Sequence, residues 1–282
     1  MFAAVYVNAT PESFVKFAFD MERLRRLPGY LAVGKFSPSP SAEEMEGFTL
    51  EPDDIKNLRH CTPGACNIQL TEGTMREFQK SLDWSKADIA GQVNRQIKNM
   101  AVELLRRYQE QGNRGLGSYH DQTQPFDIDA QMRSLLGRYP ALAQYLPDLS
   151  RHLLDYPQTK PPAAQSMHFW ERVDFGMRPT LRLNHAIAYQ SNGPKGWAHV
   201  VAVKQLYASH YFQWALDLTA CVKEGGTAPT GKGFYLITMK GSTQQGLTGF
   251  TGSILRRIIV SKTRYVQEGL LTNVKKALEA MP

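Results

Sequence analysis

The stretch WAHVVAVKQLYASHYFQWALDLTACV, residues 197–222, constrains the fold more than any other part of the chain. It is rich in β-branched and aromatic residues, which favour strands. At about 3.3 Å per residue it would be far longer than a typical strand if it ran straight. We therefore predict two strands that are joined by a bend near Tyr207–Ser209 and that lie close to the centre of a curved sheet.

Polar side chains interrupt this stretch and are the first candidates for a functional site. Alternate positions from Ala198 to Leu218 are apolar except for Lys204 and His210. Pockets for apolar ligands have mostly apolar walls with a few placed polar groups, and this pattern fits such a wall. The candidate ligand-binding residues are Lys204, Tyr207, His210, Tyr211, Phe212 and Trp214, together with His185 and Tyr189 on the neighbouring predicted strand.

Three interpretations of these polar residues stay open. They could bind the polar head group of a ligand. They could act as acid and base, with His210 and Tyr211 as the catalytic candidates. They could also be buried polar residues with ordinary hydrogen-bond partners.

The segments on either side predict the remaining elements. The N-terminal FAAVYV alternates like a strand, and Thr10 followed by Pro11 favours the start of a helix. From about residue 74 to 154 the pattern is helical, and its clearest helix follows a capping box at Ser85–Asp88. The apolar stripe of that helix is Ile89, Val93, Ile97, Ala101, Leu104 and Tyr108. Further strands are predicted in YLAVGKF, NIQLT, MHFWERVDF, LRLNHAIAYQ and GKGFYLITMKGS, and a long amphipathic helix is predicted to end the chain.

This order of elements predicts an α+β fold in which a curved antiparallel sheet wraps around the long C-terminal helix. The segment VYVNATPESFVKFAFDMERLRRLPGY resembles the opening strand, helix and proline-containing turn of the START-like superfamily, which contains lipid-transfer proteins and polyketide cyclases and has the helix-grip fold. FYLITMKGS and the helix after GFTGSILRR resemble the last strand and the C-terminal helix of that family. On this resemblance, residues 1–282 form a single START-like domain, and the helical section 74–165 is an insertion within it.

The resemblance implies an internal hydrophobic cavity that binds, and could transfer, a lipid or another large hydrophobic ligand. The alternative on the same scaffold is a cyclase, isomerase or dehydratase with a His/Tyr acid–base pair. The sequence contains no GxGxxG, P-loop or GxSxG motif, so no cofactor is expected. The seven histidines are scattered without an HxH or HExxH spacing, so no metal site is expected.

The cysteine pair in HCTPGACNIQL is predicted to form a disulfide. Pro63-Gly64 suits the centre of a type II turn, which would bring Cys61 and Cys66 face to face. Free thiols and metal ligation are the alternatives. A disulfide favours an oxidising compartment, so a bacterial periplasmic or secreted location is expected if a leader was removed, and a cytoplasmic one otherwise.

The net charge of +7 permits anionic partners, but the basic residues are spread along the chain. No nucleic-acid partner is therefore expected. Four basic residues fall on the predicted C-terminal helix and could make a transient contact with an anionic membrane or form a solvated helix face. These residues are Arg256, Arg257, Lys262 and Arg264.

Overall fold

The computed structural model describes residues 2–175, 178–193, 196–223, 233–244, 268–269 and 271–281. Within these residues the chain has the predicted α+β class, with one large curved antiparallel sheet of seven strands and several helices. A separate pair of two-residue strands lies among the helices.

The strands of the large sheet are β1 (Phe2–Val7), β2 (Tyr30–Lys35), β5 (Gln165–Val173), β6 (Thr180–Gly193), β7 (Gly196–Ala208), β8 (Phe212–Val222) and β9 (Phe234–Gln244), and the small pair is β3 (Ser118–Tyr119) and β4 (Phe126–Asp127). The α-helices are α1 (Pro11–Ala18), α2 (Met21–Leu24), α3 (Pro52–Leu58), α4 (Glu72–Ser81), α5 (Ile89–Gln111), α6 (Ile128–Gly137), α7 (Pro140–Tyr145) and α8 (Pro147–Asp155). Two 3₁₀ segments lie at Ala42–Glu44 and Gly112–Leu116. Residues 271–279 are also helical.

The strand order of the large sheet is β1-β9-β8-β7-β6-β5-β2, and each neighbouring pair is antiparallel. The first strand of the chain therefore pairs with β9, while β2 lies at the opposite edge. Between β2 and β5 the chain forms the helices α3 to α8. We call this section, residues 42–155, the helical layer.

The two faces of the sheet pack against different parts of the chain, because successive side chains of a strand point to opposite faces. One face packs against the helical layer through Leu181, Leu183 and Ile187 of β6 and Val200, Ala202 and Leu206 of β7. The other face, which we call the terminal face, packs against α1 and the C-terminal helix through Ala188, Val201, Phe14, Leu271 and Leu278. Six of the alternate apolar positions that suggest a cavity wall in the sequence thus lie in the core shared with the helical layer: Val200, Ala202, Leu206, Trp214, Leu216 and Leu218.

Among the described residues the longest helix is α5, and its sequence prediction is confirmed. In α5 the stripe residues Val93, Ile97, Ala101 and Tyr108 have no exposed surface. The predicted capping box at Ser85 is wrong, because the N-cap is Asp88 and the Ser85 hydroxyl donates instead to the Asp83 carboxylate at 2.6 Å. The short-range bond to Asp83 ties Ser85 into the preceding loop.

Two further sequence predictions need correction. The segment NIQLT is not a strand, because its backbone bonds go to separate places: Gln69 N–H donates to Ser209 O, and Leu70 O accepts from His120 N–H. The residues 197–222 do form two strands, but the turn between them is 209–211, slightly later than predicted. Tyr211 completes that turn with a φ of 62°, a conformation that non-glycine residues rarely adopt.

The N-terminal cap and the cysteine turn match their predictions. The Thr10 side chain accepts from Ser13 N–H, and Pro11 opens α1. Gly64 has a φ of 88°, and the Cys61 and Cys66 sulfur atoms lie at disulfide distance. Among the described residues, no helix has the length and apolar character needed to cross a membrane. The segment GFTGSILRR and the basic residues 256–264 lie outside the described residues.

Candidate functional site

A row of polar side chains crosses the centre of the sheet on the face that the helical layer covers. His168 on β5 is the register partner of His185 on β6, and His185 is the register partner of Lys204 on β7. The three Cα atoms therefore lie side by side on adjacent strands. We call these residues, with the groups that contact them, the central cluster.

Lys204, a member of the central cluster, has no exposed surface. Its Nζ donates to Asn113 Oδ1, to Leu153 O at 3.3 Å and to Tyr108 Oη at 3.4 Å. All three acceptors are neutral. Burial without a carboxylate partner disfavours the charged amine, and it lowers the pKa of Lys204 to about 7.

His185 connects the buried lysine to the surface. Its Nδ1 lies 2.9 Å from Tyr108 Oη, and its Nε2 lies 2.7 Å from Ser166 Oγ. His185 is fully buried, whereas Ser166 is exposed. Burial, and then the nearby His168 and Lys204, hold the pKa of His185 well below its usual range, so the ring is neutral near pH 7.

Aromatic rings enclose the central cluster. Tyr108 stacks on Tyr156 with ring centroids 4.5 Å apart, and Tyr156 lies 4.9 Å from the His185 ring. The His168 ring is 4.5 Å from that of His185, and burial lowers the pKa of His168 to about 4. Burial also raises the pKa of Tyr108 well above its usual range, so its hydroxyl stays protonated.

The two catalytic candidates, His210 and Tyr211, lie outside the central cluster, at the turn between β7 and β8. The His210 Nε2 is 3.0 Å from Asp54 Oδ2, and its Nδ1 is 3.0 Å from Asn67 O. Arg178 completes this turn cluster with an ion pair of 2.7 Å to Asp54 Oδ1.

The contacts of this turn cluster fit a structural role better than the role of an acid–base pair. Both ring nitrogens of His210 face oxygen acceptors, so neither offers a free lone pair to a substrate. The Tyr211 hydroxyl accepts from Arg178 N–H at 3.1 Å. An open cleft of about 570 Å³ lies beside the turn and is lined by Glu51, Pro52, Asp53, Arg178, Pro179 and Tyr211.

The remaining predicted site residues are not gathered into one place. Tyr207 is buried near the ring of Tyr119, at 6.2 Å between centroids. Trp214 is buried among the apolar residues that contact the helical layer, as is Tyr189. Phe212 instead packs on Phe175 at 5.1 Å.

Lys204 and His185 are among the site residues that the sequence predicts, but the groups that link them are not. Tyr108 is predicted only as part of an apolar stripe, and no motif marks Ser166 or Asn113. The available signal was a tyrosine on the buried stripe of α5, since a buried hydroxyl needs a partner. Among the described residues, no group of histidine, cysteine and acidic side chains is arranged to bind a metal.

Comparisons of this chain with protein-family models, with curated proteins and with solved structures find no match.

Proposed function

We propose that this chain binds a lipid or another large hydrophobic ligand between its sheet and its C-terminal helix, as a divergent START-like protein with the helical section 74–165 as an insertion. The pairing of β1 with β9 supports this proposal, since it places the first strand beside the last described strand at one edge of the sheet. The packing of α1 and residues 271–279 on the terminal face supports it as well. A curved sheet with both terminal helices on one face has the arrangement needed to enclose a ligand.

The observation that carries the proposal is a buried ion pair on the terminal face. Arg182 Nη1 on β6 lies 2.7 Å from Glu171 Oε1 on β5, and Glu171 is 2% exposed. Burial raises the pKa of Glu171, and the charge of Arg182 opposes that rise. Arg182 Nε also donates to the buried amide oxygen of Gln205 at 3.2 Å.

Apolar side chains share that face with the ion pair. Ala186 and Val203 are register partners on β6 and β7, and Ala188 and Val201 form the next such pair. A mainly apolar wall with a few placed polar groups is typical of ligand sites. The delivery of such a ligand would involve transient contact with an anionic membrane, which the net charge of +7 favours.

The test combines extraction and titration. Purified protein is extracted with organic solvent for lipid mass spectrometry, and delipidated protein is titrated with cis-parinaric acid, a fluorescent fatty acid. We expect a co-purified lipid and saturable fluorescence. If the protein has a native circular dichroism spectrum but carries no lipid and gives no saturable fluorescence, the proposal is contradicted.

A paired substitution tests the polar end of the site. The double variant Glu171→Gln/Arg182→Met removes both charges together, which avoids leaving one buried charge unpaired. It should weaken cis-parinaric acid binding at least fivefold. The matched control Arg172→Met removes a neighbouring arginine of β5 that pairs with Glu51, and its affinity should equal that of the wild type.

A further inference from the structure

The central cluster is a continuous chain of hydrogen bonds that runs from an exposed hydroxyl to a buried amine. The chain passes from Ser166 Oγ to His185, then to Tyr108 Oη and then to Lys204 Nζ. The proposed ligand site on the terminal face uses none of these residues. The proposed ligand site therefore does not explain this cluster.

We propose that Ser166 is a nucleophile that accepts acyl or phosphonyl groups, that His185 is its base, and that the protonation state of Lys204 switches it on and off through Tyr108. The geometry matches the general arrangement of an activated hydroxyl. A serine lies within hydrogen-bond reach of a histidine, and a third group holds the other ring nitrogen.

The donor and acceptor of each hydrogen bond in this chain can be assigned by counting the available protons. The assignment starts at Asn113. Its side-chain nitrogen donates to Leu153 O at 3.0 Å and to Leu154 O at 2.8 Å. Its Oδ1 is therefore fixed toward Lys204 as an acceptor. Lys204 must donate one proton to this oxygen and another to Leu153 O in either of its protonation states.

When Lys204 is charged, its third N–H donates to Tyr108 Oη. The Tyr108 hydroxyl proton then points to His185 Nδ1, which accepts it. A neutral imidazole has one proton, so that proton sits on Nε2 and is donated to Ser166 Oγ. In this state His185 has no lone pair facing the serine, and Ser166 is not activated.

When Lys204 is neutral, its lone pair accepts the Tyr108 hydroxyl proton. Tyr108 Oη then accepts from His185 Nδ1–H. The lone pair of His185 Nε2 now faces Ser166 Oγ and accepts its proton. Loss of one proton from Lys204 thus moves the ring proton of His185 from Nε2 to Nδ1, and the ring stays neutral.

The reaction balances without a cofactor. With an ester, the bond from Ser166 Oγ to the acyl carbon forms, and the bond from that carbon to the alkoxy oxygen breaks. The serine proton moves to His185 Nε2 and then to the leaving alkoxide, which departs as an alcohol. With a fluorophosphate or fluorophosphonate, the bond from Ser166 Oγ to phosphorus forms, the bond from phosphorus to fluorine breaks, and fluoride leaves while the serine proton passes through His185 Nε2 to solvent. Because burial makes His185 a weak base, we expect reaction with activated esters and with these phosphorus reagents, at a slow rate.

The strand edge supplies a donor for the developing oxyanion. The pairing of β2 with β5 ends at Lys35 and Phe169, and Phe36 N–H then donates to His168 O. Backbone groups alternate sides along a strand, so the N–H of Ser166 faces the same edge, beyond the last bond from β2. A backbone N–H next to the nucleophile is a common oxyanion donor.

Among the described residues, Lys204 has few charged neighbours that could change its protonation state. Asp129 favours its charged form and Arg133 opposes it, both from α6. The rings of His152 and His168 lie beside that of His185, at 6.0 Å and 4.5 Å between centroids. The titratable and charged groups that face Lys204 and the residues linked to it are Tyr108 from α5, Asp129 and Arg133 from α6, His152 from α8, Tyr156 just after α8, His168 from β5 and His185 from β6.

Labelling tests the nucleophile. The wild type, Ser166→Ala and Ser85→Ala are treated with diisopropyl fluorophosphate from pH 6 to pH 9, and adducts are located by peptide mass spectrometry. Ser85 is the matched control, because it is an exposed serine whose hydroxyl bonds a carboxylate and no histidine. We expect one adduct on Ser166, absent in Ser166→Ala and retained in Ser85→Ala. No adduct, or equal labelling of several serines, would overturn the proposal.

The pH dependence tests the switch. The fraction of neutral Lys204 rises about tenfold between pH 6 and pH 8, so the labelling rate should rise by a similar factor. In Tyr108→Phe the link is broken, and this rise should disappear. In the wild type, ¹⁵N-histidine spectra should show His185 exchanging its Nε2–H tautomer for the Nδ1–H tautomer near pH 7. A tautomer that is constant across this range would refute the switch without any substitution.

Discussion

Replacement of Lys204 by methionine tests the energetics of the central cluster most directly. Methionine has a similar length and no charge, so the change removes the buried amine and leaves little empty space. In the folded protein, burial lowers the pKa of Lys204 from 10.5 to about 7. The folded state therefore disfavours the charged form that the unfolded chain holds at neutral pH.

The sign of the effect follows from proton linkage. A base whose folded pKa is lowered destabilises the fold fully below the folded pKa, and this penalty disappears as the pH rises to the unfolded pKa. The shift from 10.5 to about 7 corresponds to about 5 kcal/mol at acidic pH, at about 1.4 kcal/mol per pKa unit. The penalty is about 5 kcal/mol at pH 6 and about 2 kcal/mol at pH 9.

The substitution also removes hydrogen bonds. Asn113 Oδ1 loses its donor, which costs about 1–3 kcal/mol for a buried acceptor left without a partner. We therefore expect Lys204→Met to be more stable than the wild type at pH 6, and this advantage to shrink by about 3 kcal/mol at pH 9.

The assay is urea unfolding of both proteins at pH 6, 7.5 and 9, followed by circular dichroism. Lys35→Met, which removes an exposed lysine of β2, is the control, and its effect should not vary with pH. If the difference between Lys204→Met and the wild type is the same at pH 6 and pH 9, the lysine is not desolvated in the way that the structure implies.

Two further predictions concern stability away from the central cluster. Asp54→Asn should destabilise the fold by about 3–5 kcal/mol in urea unfolding, because the buried carboxylate pairs with both Arg178 and His210; a loss below about 1 kcal/mol would show that these pairs contribute little. Cys61→Ala/Cys66→Ala should lower stability by about 2 kcal/mol, the loop-closure value for so short a loop, and unchanged unfolding midpoints in oxidised and reduced wild type would contradict it.

Local patterns in the sequence were enough to predict most elements. The stripe from Ile89 to Tyr108 predicts α5 because a helix presents every third or fourth residue to its neighbours. The length and composition of residues 197–222 predict two strands. Both patterns are local features of the chain, and a single sequence shows them in full.

The partners of the site residues could not be predicted in the same way. Lys204 and Tyr108 are 96 residues apart, and His210 and Asp54 are 156 residues apart. No local rule joins such positions. The sequence also does not show which face of the sheet the helical layer covers.

The position of the helical layer explains why a lysine can be buried without a carboxylate. Lys204 lies near the middle of the sheet, and the layer shields it from water on that face. In return, Asn113 and Leu153 of the layer provide neutral oxygen acceptors that satisfy the amine in either protonation state. A carboxylate in their place would hold the lysine charged at all physiological pH values. Neutral partners leave its charge free to change near pH 7, which is the property that a switch through Tyr108 requires.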